Sequence, residues 1–474
     1  MNARFPKDFV WGVAAASYQI EGANPKDGCG PSVWDAFCTR KRAIRDLSDG
    51  SVACDHYNRS AEDVALMAGL GAGAYRFSIS WPRVMPEGQG AINEPGLDFY
   101  DRLVDDLLAN GIAPWVTLFH WDYPLALFRR GGWLSPDSPR WFADFTAVVC
   151  DRLSDRVSHW ITINEYQCFL GLGHVDGTHA PGLQLPTSEF LLATHHALLA
   201  HGLSTQVLRA RAKRPPVIGC APVGFISMPE TDSPEDIAAA REATVGMRTD
   251  SFWNNAWYAD PMLKGMYPEA GLAHYGKAMP KIGQGDMETI CQPLDFYGVN
   301  IYQGGTVRRG ADGGIEDRPR SEVPLGAGET AMNWPITPPA LYWGPKFLYE
   351  RYGLPIVVTE NGMANADVIM GDGQVHDPQR IDFLRNYLRE LRRAANDGVA
   401  VAGYFQWSIL DNFEWAYGYS RRFGLVYVDY PTQRRIPKDS YHWYRAVIAS
   451  GGAALDVDDF LSLLASEPSL APAG

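Results

Sequence analysis

Short runs of apolar and β-branched residues recur along the chain at 9–17 (FVWGVAAAS), 74–80 (AYRFSIS), 113–119 (APWVTLF) and 159–164 (HWITIN). They continue at 216–223 (PVIGCAPV), 296–302 (FYGVNIY), 355–361 (PIVVTEN) and 401–409 (VAGYFQWSI). Each has the length of a buried strand, and several lack strict alternation, as strands covered on both faces should. Between them, apolar positions fall at helical spacing in 60–70, 97–111, 138–157 and 378–398. In the last of these Asp377 and Pro378 make a helix start and Gly398 a stop.

Eight strands alternating with helices, with no break in composition, predict a single (β/α)8 barrel over 1–450. A doubly wound sheet is the alternative that pattern alone leaves open. The stretch 303–333, rich in Gly, Arg, Asp and Glu, reads as a long irregular insertion after the sixth strand. Residues 451–474, with one short apolar turn (DFLSLLAS), read as a C-terminal appendage, a short helix and a frayed tail. In a barrel the chemistry sits at the C-terminal ends of the strands. Those ends carry Gln19 and Glu21, then Arg76, then His120, Trp121 and Asp122, then Asn164 and Glu165. Later ends carry Asn300 and Tyr302, Glu360 and Asn361, and Trp407. Taken singly, each is ordinary loop punctuation; gathered at one end of one barrel, they are a candidate site.

Composition narrows the function classes. The 474 residues are 46% hydrophobic and 20% charged, ordinary for a globule with a large core. Net charge is −13 and basic residues form no long run, which argues against nucleic acid as a partner. No apolar run reaches the roughly 18 residues of a membrane span. The stretch 9–18 has a signal-like Ala-Ala-Ala-Ser, but it is short, aromatic and preceded by Asp8, so a cytoplasmic location is expected. Seven scattered cysteines form neither a disulfide framework nor a metal knuckle. GLGAG (69–73) follows a helix rather than a strand and reads as its terminator, not a dinucleotide loop. The run THH (194–196) places His195 and His196, with His201, in a helical stretch where packing or exposure is the expected role. His120, Asp122, His174 and His179 offer donors for a metal, but chemistry between two carboxylates needs none, and no cofactor is expected.

The sharpest feature is ITINEYQC (161–168), where an apolar strand runs straight into an acid. An ionised carboxyl in such a place is costly unless it is paired. A second strand ends the same way, in TENG (359–362). Strands four and seven are nearly opposite in an eight-strand barrel, so Glu165 and Glu360 can face one another across its mouth, a pair of the kind used in glycoside hydrolysis. One acid protonates the leaving oxygen; the other attacks the sugar or activates water, according to their separation. Two close carboxylates resist double ionisation, so one keeps its proton. Arg76 and Tyr302, donors at neighbouring strand ends, suit Glu360 as the ionised member.

These residues carry a resemblance. Over about residues 5–450 the chain resembles glycoside hydrolase family 1, the β-glucosidase family. The resemblance rests on FVWGVAAASYQIEGA, YRFSISWPRVMP, TLFHWDYPLAL, TINE, GVNIY, VTENG and YFQWSILDNFEWAYGYSRRFGLVYVDY, all in order. It implies a (β/α)8 barrel and a retaining mechanism through a covalent glycosyl-enzyme, with Glu165 as acid/base and Glu360 as nucleophile. Gln19, His120, Asn164, Glu414 and Trp415 would then grip the sugar hydroxyls, with Asn164 on the 2-hydroxyl. Trp407 would lie under the ring, Phe423 would close the pocket near the 6-position, and Asn300 and Tyr302 would orient the acids. Exo-acting hydrolysis of β-D-glucosides is the implied activity, with β-galactosides, β-fucosides and transglycosylation as side reactions. The partner is thus a small β-glycoside.

Two alternatives stand beside this reading. A 6-phospho-β-glycosidase would need cations near the 6-position; Arg421 and Arg422 are there, but Glu414 would repel the phosphate. A non-catalytic sugar-binding barrel would be expected to lose one of the two acids, and both are present. At the aglycone side, Trp334 is expected to line the entrance, with His174, Cys168, Gln167 and the 303–333 loop as neighbours. The family's usual Pro after the acid, often followed by Trp, is replaced here by Tyr166 and Gln167. Proline restricts the residue before it, so Tyr166 relaxes a constraint on the acid. Catalysis is expected to survive these changes and aglycone preference to shift.

Overall fold

The computed structural model describes residues 4–22, 27–249, 251–319 and 326–458. Eight parallel strands close into a barrel in sequential order: Val10–Ala14, Ala74–Ser78, Ala113–Phe119, His159–Asn164, Val217–Ala221, Phe296–Asn300, Ile356–Asn361 and Val401–Trp407. The first strand pairs with the eighth, Ala14 beside Trp407, which removes every free edge. All eight fall inside the runs predicted from sequence, because strands buried on both faces must be continuously apolar.

The helices form the outer layer. His56–Leu70 ends at Gly71 in the left-handed conformation, just before the second strand, as the terminator reading of GLGAG requires. Pro378–Asn396 lies within its predicted span, with Gly398 at φ 94° beyond it. Inside the barrel, Trp115 meets Phe296 at 5.3 Å and Phe405 at 4.9 Å, filling the floor with aromatic side chains. The rings leave no room for side chains beneath them: a Cβ at Gly12 would stand 2.4 Å from Phe405. This packed floor forces polar strand-end residues upward to the mouth.

Two expectations are corrected. The 303–333 insertion is not wholly irregular: Gly304–Arg309 and Ile315–Asp317 form a hairpin that joins Ile226–Pro229 in a three-stranded sheet. The first residues after 450 are not frayed either. Ala453–Asp456 makes a 3₁₀ turn whose Leu455 is fully buried, and Asp456 pairs with Arg392 at 2.5 Å. The predicted DFLSLLAS turn lies outside the described residues. Among the described residues no helix is long and apolar enough to cross a membrane.

Candidate active site

Glu165 follows the fourth strand directly. Its backbone N–H donates to Ala221 O (2.9 Å), which continues the strand register for one more residue. Its φ is +48°, in the left-handed region, so the chain turns sharply there into the π-helical stretch Gln167–Asp176. That conformation costs a residue with a Cβ about 1–2 kcal/mol and persists only where its surroundings enforce it. Tyr166 supplies part of that enforcement. It is fully buried, stacks on Tyr258 at 5.7 Å, and its hydroxyl donates to Met262 Sδ at 3.6 Å. The acid is therefore held by a buried anchor on the residue that follows it.

The side chain of Glu165 accepts from Asn300 Nδ2 at 2.8 Å, and the Cys168 thiol is directed at it. Burial pushes its pKa up to about 7, and the charge of Glu360 adds to the rise. Glu360 is held differently. Arg76 Nη1 donates to Oε1 at 2.5 Å and the Tyr302 hydroxyl to Oε2 at 2.7 Å. Burial raises this carboxyl above its ordinary value too, and Arg76 and then Tyr302 offset part of that rise. One acid thus sits among neutral donors and the other on a guanidinium. That asymmetry favours a proton on Glu165 and a charge on Glu360.

Arg76 is the hub. It is 1% exposed, donates to Thr117 Oγ1 (3.2 Å) and Thr359 O (3.1 Å), and gives Nη2 to Asn164 Oδ1 at 2.6 Å. Asn164 Oδ1 also accepts from Asn300 (3.0 Å), so its amide orientation is fixed and Nδ2 faces His120 Nε2 at 3.2 Å. That nitrogen must then accept, which leaves the proton of a neutral imidazole on Nδ1. Burial, with Arg76 nearby, lowers the pKa of His120 and keeps it neutral.

Around this core the remaining expected residues assemble. His120 lies between the rings of Trp407 (5.7 Å, 15°) and Trp415 (5.9 Å, 17°). Gln19 gives its Nε2 to Phe413 O (3.0 Å) and Asn412 Oδ1 (3.1 Å), with Glu414 Oε2 at 3.4 Å. Its own Oε1 is buried without a partner, an acceptor left open on the pocket's polar side. Burial and the two other carboxylates push Glu414 up to about 8. Tyr302, Trp334 and Phe423 form an aromatic group, with Trp334 at 5.2 Å from Tyr302 and 6.2 Å from Phe423. Trp334 and Tyr302 are half-buried and Phe423 is buried.

Two expected aglycone residues are placed elsewhere. Gln167 is fully buried and both ends of its amide hold backbone: Nε2 donates to Val223 O and Asn254 O, each at 3.2 Å, and Oε1 accepts from Val223 N at 3.2 Å. His174 is 4% exposed, with its Nδ1 on Phe169 O at 2.8 Å, among Phe119, Trp133 and Phe169. The tight turn at Glu165 directs both into the packing beneath the rim. Cys168, by contrast, stays against the acid. Gln167→Ala is accordingly expected to lower stability by about 1–3 kcal/mol, because three buried or part-buried backbone groups lose their partner. A urea melt with unchanged slope and an unchanged midpoint would refute that role.

Thr117 and Thr359 were not singled out from sequence, whereas Trp121 was read among the strand ends. Thr359 donates to Asn300 Oδ1 at 2.6 Å, fixing the amide that faces Glu165. Trp121 donates its indole N–H to Asn164 O at 3.1 Å and packs on Trp415 at 4.5 Å. Thr117 and Thr359 carried a readable signal, a hydroxyl at a barrel-facing position in an otherwise apolar strand. Glu21 belongs to a different network, bonded to Arg83 and to Tyr100, each at 2.9 Å. The helical histidines are spent in packing, His201 on Thr162 (2.6 Å) and His195 on Tyr267 (2.9 Å). Among the described residues no three His, Cys, Asp or Glu side chains are grouped to hold a metal.

Comparison with known proteins gives concordant findings. Residues 1–453 match the sequence model of glycosyl hydrolase family 1. A 1,4-β-D-glucan glucohydrolase of Thermotoga neapolitana is 43% identical over 450 residues, covering 95% of this chain and 99% of that protein. A bifunctional β-D-glucosidase/β-D-fucosidase of Bifidobacterium breve is 41% identical, covering 96% of this chain and all (100%) of its own. The β-glucosidase of Thermotoga maritima solved with glucoimidazole superposes with a TM-score of 0.86 at 42% identity, covering 95% of this chain and 100% of that one.

Proposed function

The chain belongs to glycosyl hydrolase family 1, and from that premise we propose how its β-glucosidase activity is divided among the residues of the barrel mouth. It is a retaining β-glucosidase, a glycoside hydrolase acting on β-D-glucosides. The observation that carries the division is the unequal support of the two acids: Arg76 and Tyr302 on Glu360, Asn300 and burial on Glu165.

Glu360, kept ionised, attacks the anomeric carbon from the face opposite the leaving group. Glu165 gives its proton to the departing oxygen in the same step. Esterification removes the charge of Glu360, which is the second cause of the raised pKa of Glu165. The acid then releases protons more readily and serves as base toward the incoming water. Asn164, fixed by Arg76 and Asn300, is aimed to bond the 2-hydroxyl, where hydrogen bonds strengthen in the oxocarbenium-like transition state. Gln19, Glu414 and Trp415 grip the far hydroxyls, while Trp407 supplies an apolar floor for the ring's C–H face.

The relatives' names favour β-1,4-glucans as substrates, with β-fucosides as a side activity. An unphosphorylated glycone is favoured by Glu414 and by Arg422, whose Nη1 is committed to Asp411 (2.6 Å) and Val428 O (3.0 Å). NMR of the first product tests the reading: β-glucose should appear before mutarotation, and α-glucose would refute retention. Nitrophenyl glucoside should be hydrolysed far faster than its 6-phosphate, and the reverse preference would overturn the choice of glycone.

A further inference from the structure

The loop TRKRAIRD (39–46) carries Arg40, Lys41, Arg42 and Arg45 in a protein of net charge −13. It lies on the rim of the pocket, tied at both ends. Arg45 N–H donates to Ala416 O at 2.9 Å, and Asp46 Oδ2 accepts from Tyr419 N at 2.7 Å. Both partners belong to the 3₁₀ segment Trp415–Ser420, which follows Glu414 directly. On the other side Arg40 Nη1 donates to Gly182 O at 3.2 Å, in the segment after the π-helical turn that Glu165 opens. The loop therefore bridges the two rim segments that descend to the sugar-gripping residues and to the acid.

Its cations are not ion-paired. Many other arginines are, as Arg152 and Arg156 are with a row of aspartates. Among the described residues, none of Arg40, Lys41, Arg42, Arg45 and Arg421 joins an ion pair with a carboxylate. The loop's own acids, Asp46 and Asp49, are exposed but bonded to local donors, Asp46 to Tyr419 N and Ser48, and Asp49 to Ser51 N at 2.9 Å. Arg421 extends the patch toward the pocket. Its Nε is buried without a partner, its guanidinium covers Tyr417 at 5.1 Å, and it interacts with both Arg45 and Glu414.

Five like charges on one rim repel one another, and an anion placed among them would relieve that repulsion. The anion does not fit the glycone end, where three carboxylates, Glu165, Glu360 and Glu414, already lie close together. It fits the leaving-group side, above the rim. We propose that the 39–46 loop and Arg421 form a cationic collar that selects β-glucosides whose aglycone bears a carboxylate. The proposal rests on the β-glucosidase reading and names the substrate class it leaves open.

The test compares 4-(carboxymethyl)phenyl β-D-glucoside with its primary amide, two substrates of nearly equal leaving ability. At low ionic strength kcat/KM for the carboxylate should exceed that for the amide by roughly 5–10-fold, chiefly through KM. In about 0.5 M NaCl the ratio should fall toward one, because exposed charges are screened. The double variant Arg42→Ser, Arg45→Ser should abolish the preference while hydrolysing the amide like the parent. A ratio of one or below at low salt would overturn the proposal, as would a preference that survives both salt and the double variant. Failure to hydrolyse either glucoside would instead refute the β-glucosidase reading and the collar with it.

Discussion

Glu360→Ala is expected to lower kcat on aryl β-glucosides by roughly 10⁴-fold or more, since removing a nucleophile closes the covalent route altogether. The space left by the carboxylate lies on the face opposite the leaving group, with Arg76 and the Tyr302 hydroxyl still directed into it. Azide or formate should therefore bind there and attack the anomeric carbon. With azide the product should be α-glucosyl azide, of inverted configuration. A variant that kept parental turnover, or gave the β-azide, would assign the nucleophile elsewhere.

Glu165→Ala should behave differently on every count. The first step survives when the leaving group needs no proton, so dinitrophenyl glucoside should form the glycosyl-enzyme at a useful rate. Glucosides with poor leaving groups should lose roughly 10²–10⁴-fold. Azide should attack the accumulated ester from the vacated acid's side and give the β-azide, with retention. The pH profile follows from the same proton. Glu165 is an acid raised to about 7, so the parent is active while it is protonated and kcat/KM falls as pH rises through about 7. The variant should lose that alkaline limb on activated substrates. A limb that stays at the same pH after the substitution would mean another group supplies the proton.

The strands were legible because a barrel strand must be apolar on both faces, and Ala113–Phe119 and His159–Asn164 coincide with their runs of sequence residue for residue. The hairpin Gly304–Arg309 with Ile315–Asp317 was not legible. It is polar and largely exposed, and its pairing with Ile226–Pro229 depends on a segment far away in sequence. The two candidate acids could be read from TINE and TENG, since a carboxyl at the end of a buried strand demands a reason. Gln167 and His174 could not be placed. Whether a side chain after the strand faces substrate or packing depends on the left-handed turn at Glu165, and a run of residue types does not specify φ.

By itself, then, the sequence determined eight buried strands alternating with helices, the strand ends that carry polar side chains, and the candidate pair of acids. Those follow from periodicity and from the cost of leaving a carboxyl in apolar surroundings. Only the tertiary structure displays the contacts behind the choice of which acid keeps its proton, a choice that Arg76 and Tyr302 suggested in the sequence. That choice rests on Arg76 of the second strand reaching past Asn164 to Glu360, and on Asn300 of the sixth reaching Glu165. A proton's affinity for a carboxyl is a sum over the charges, donors and buried surface around it. Those neighbours come from strands that meet only when the barrel closes.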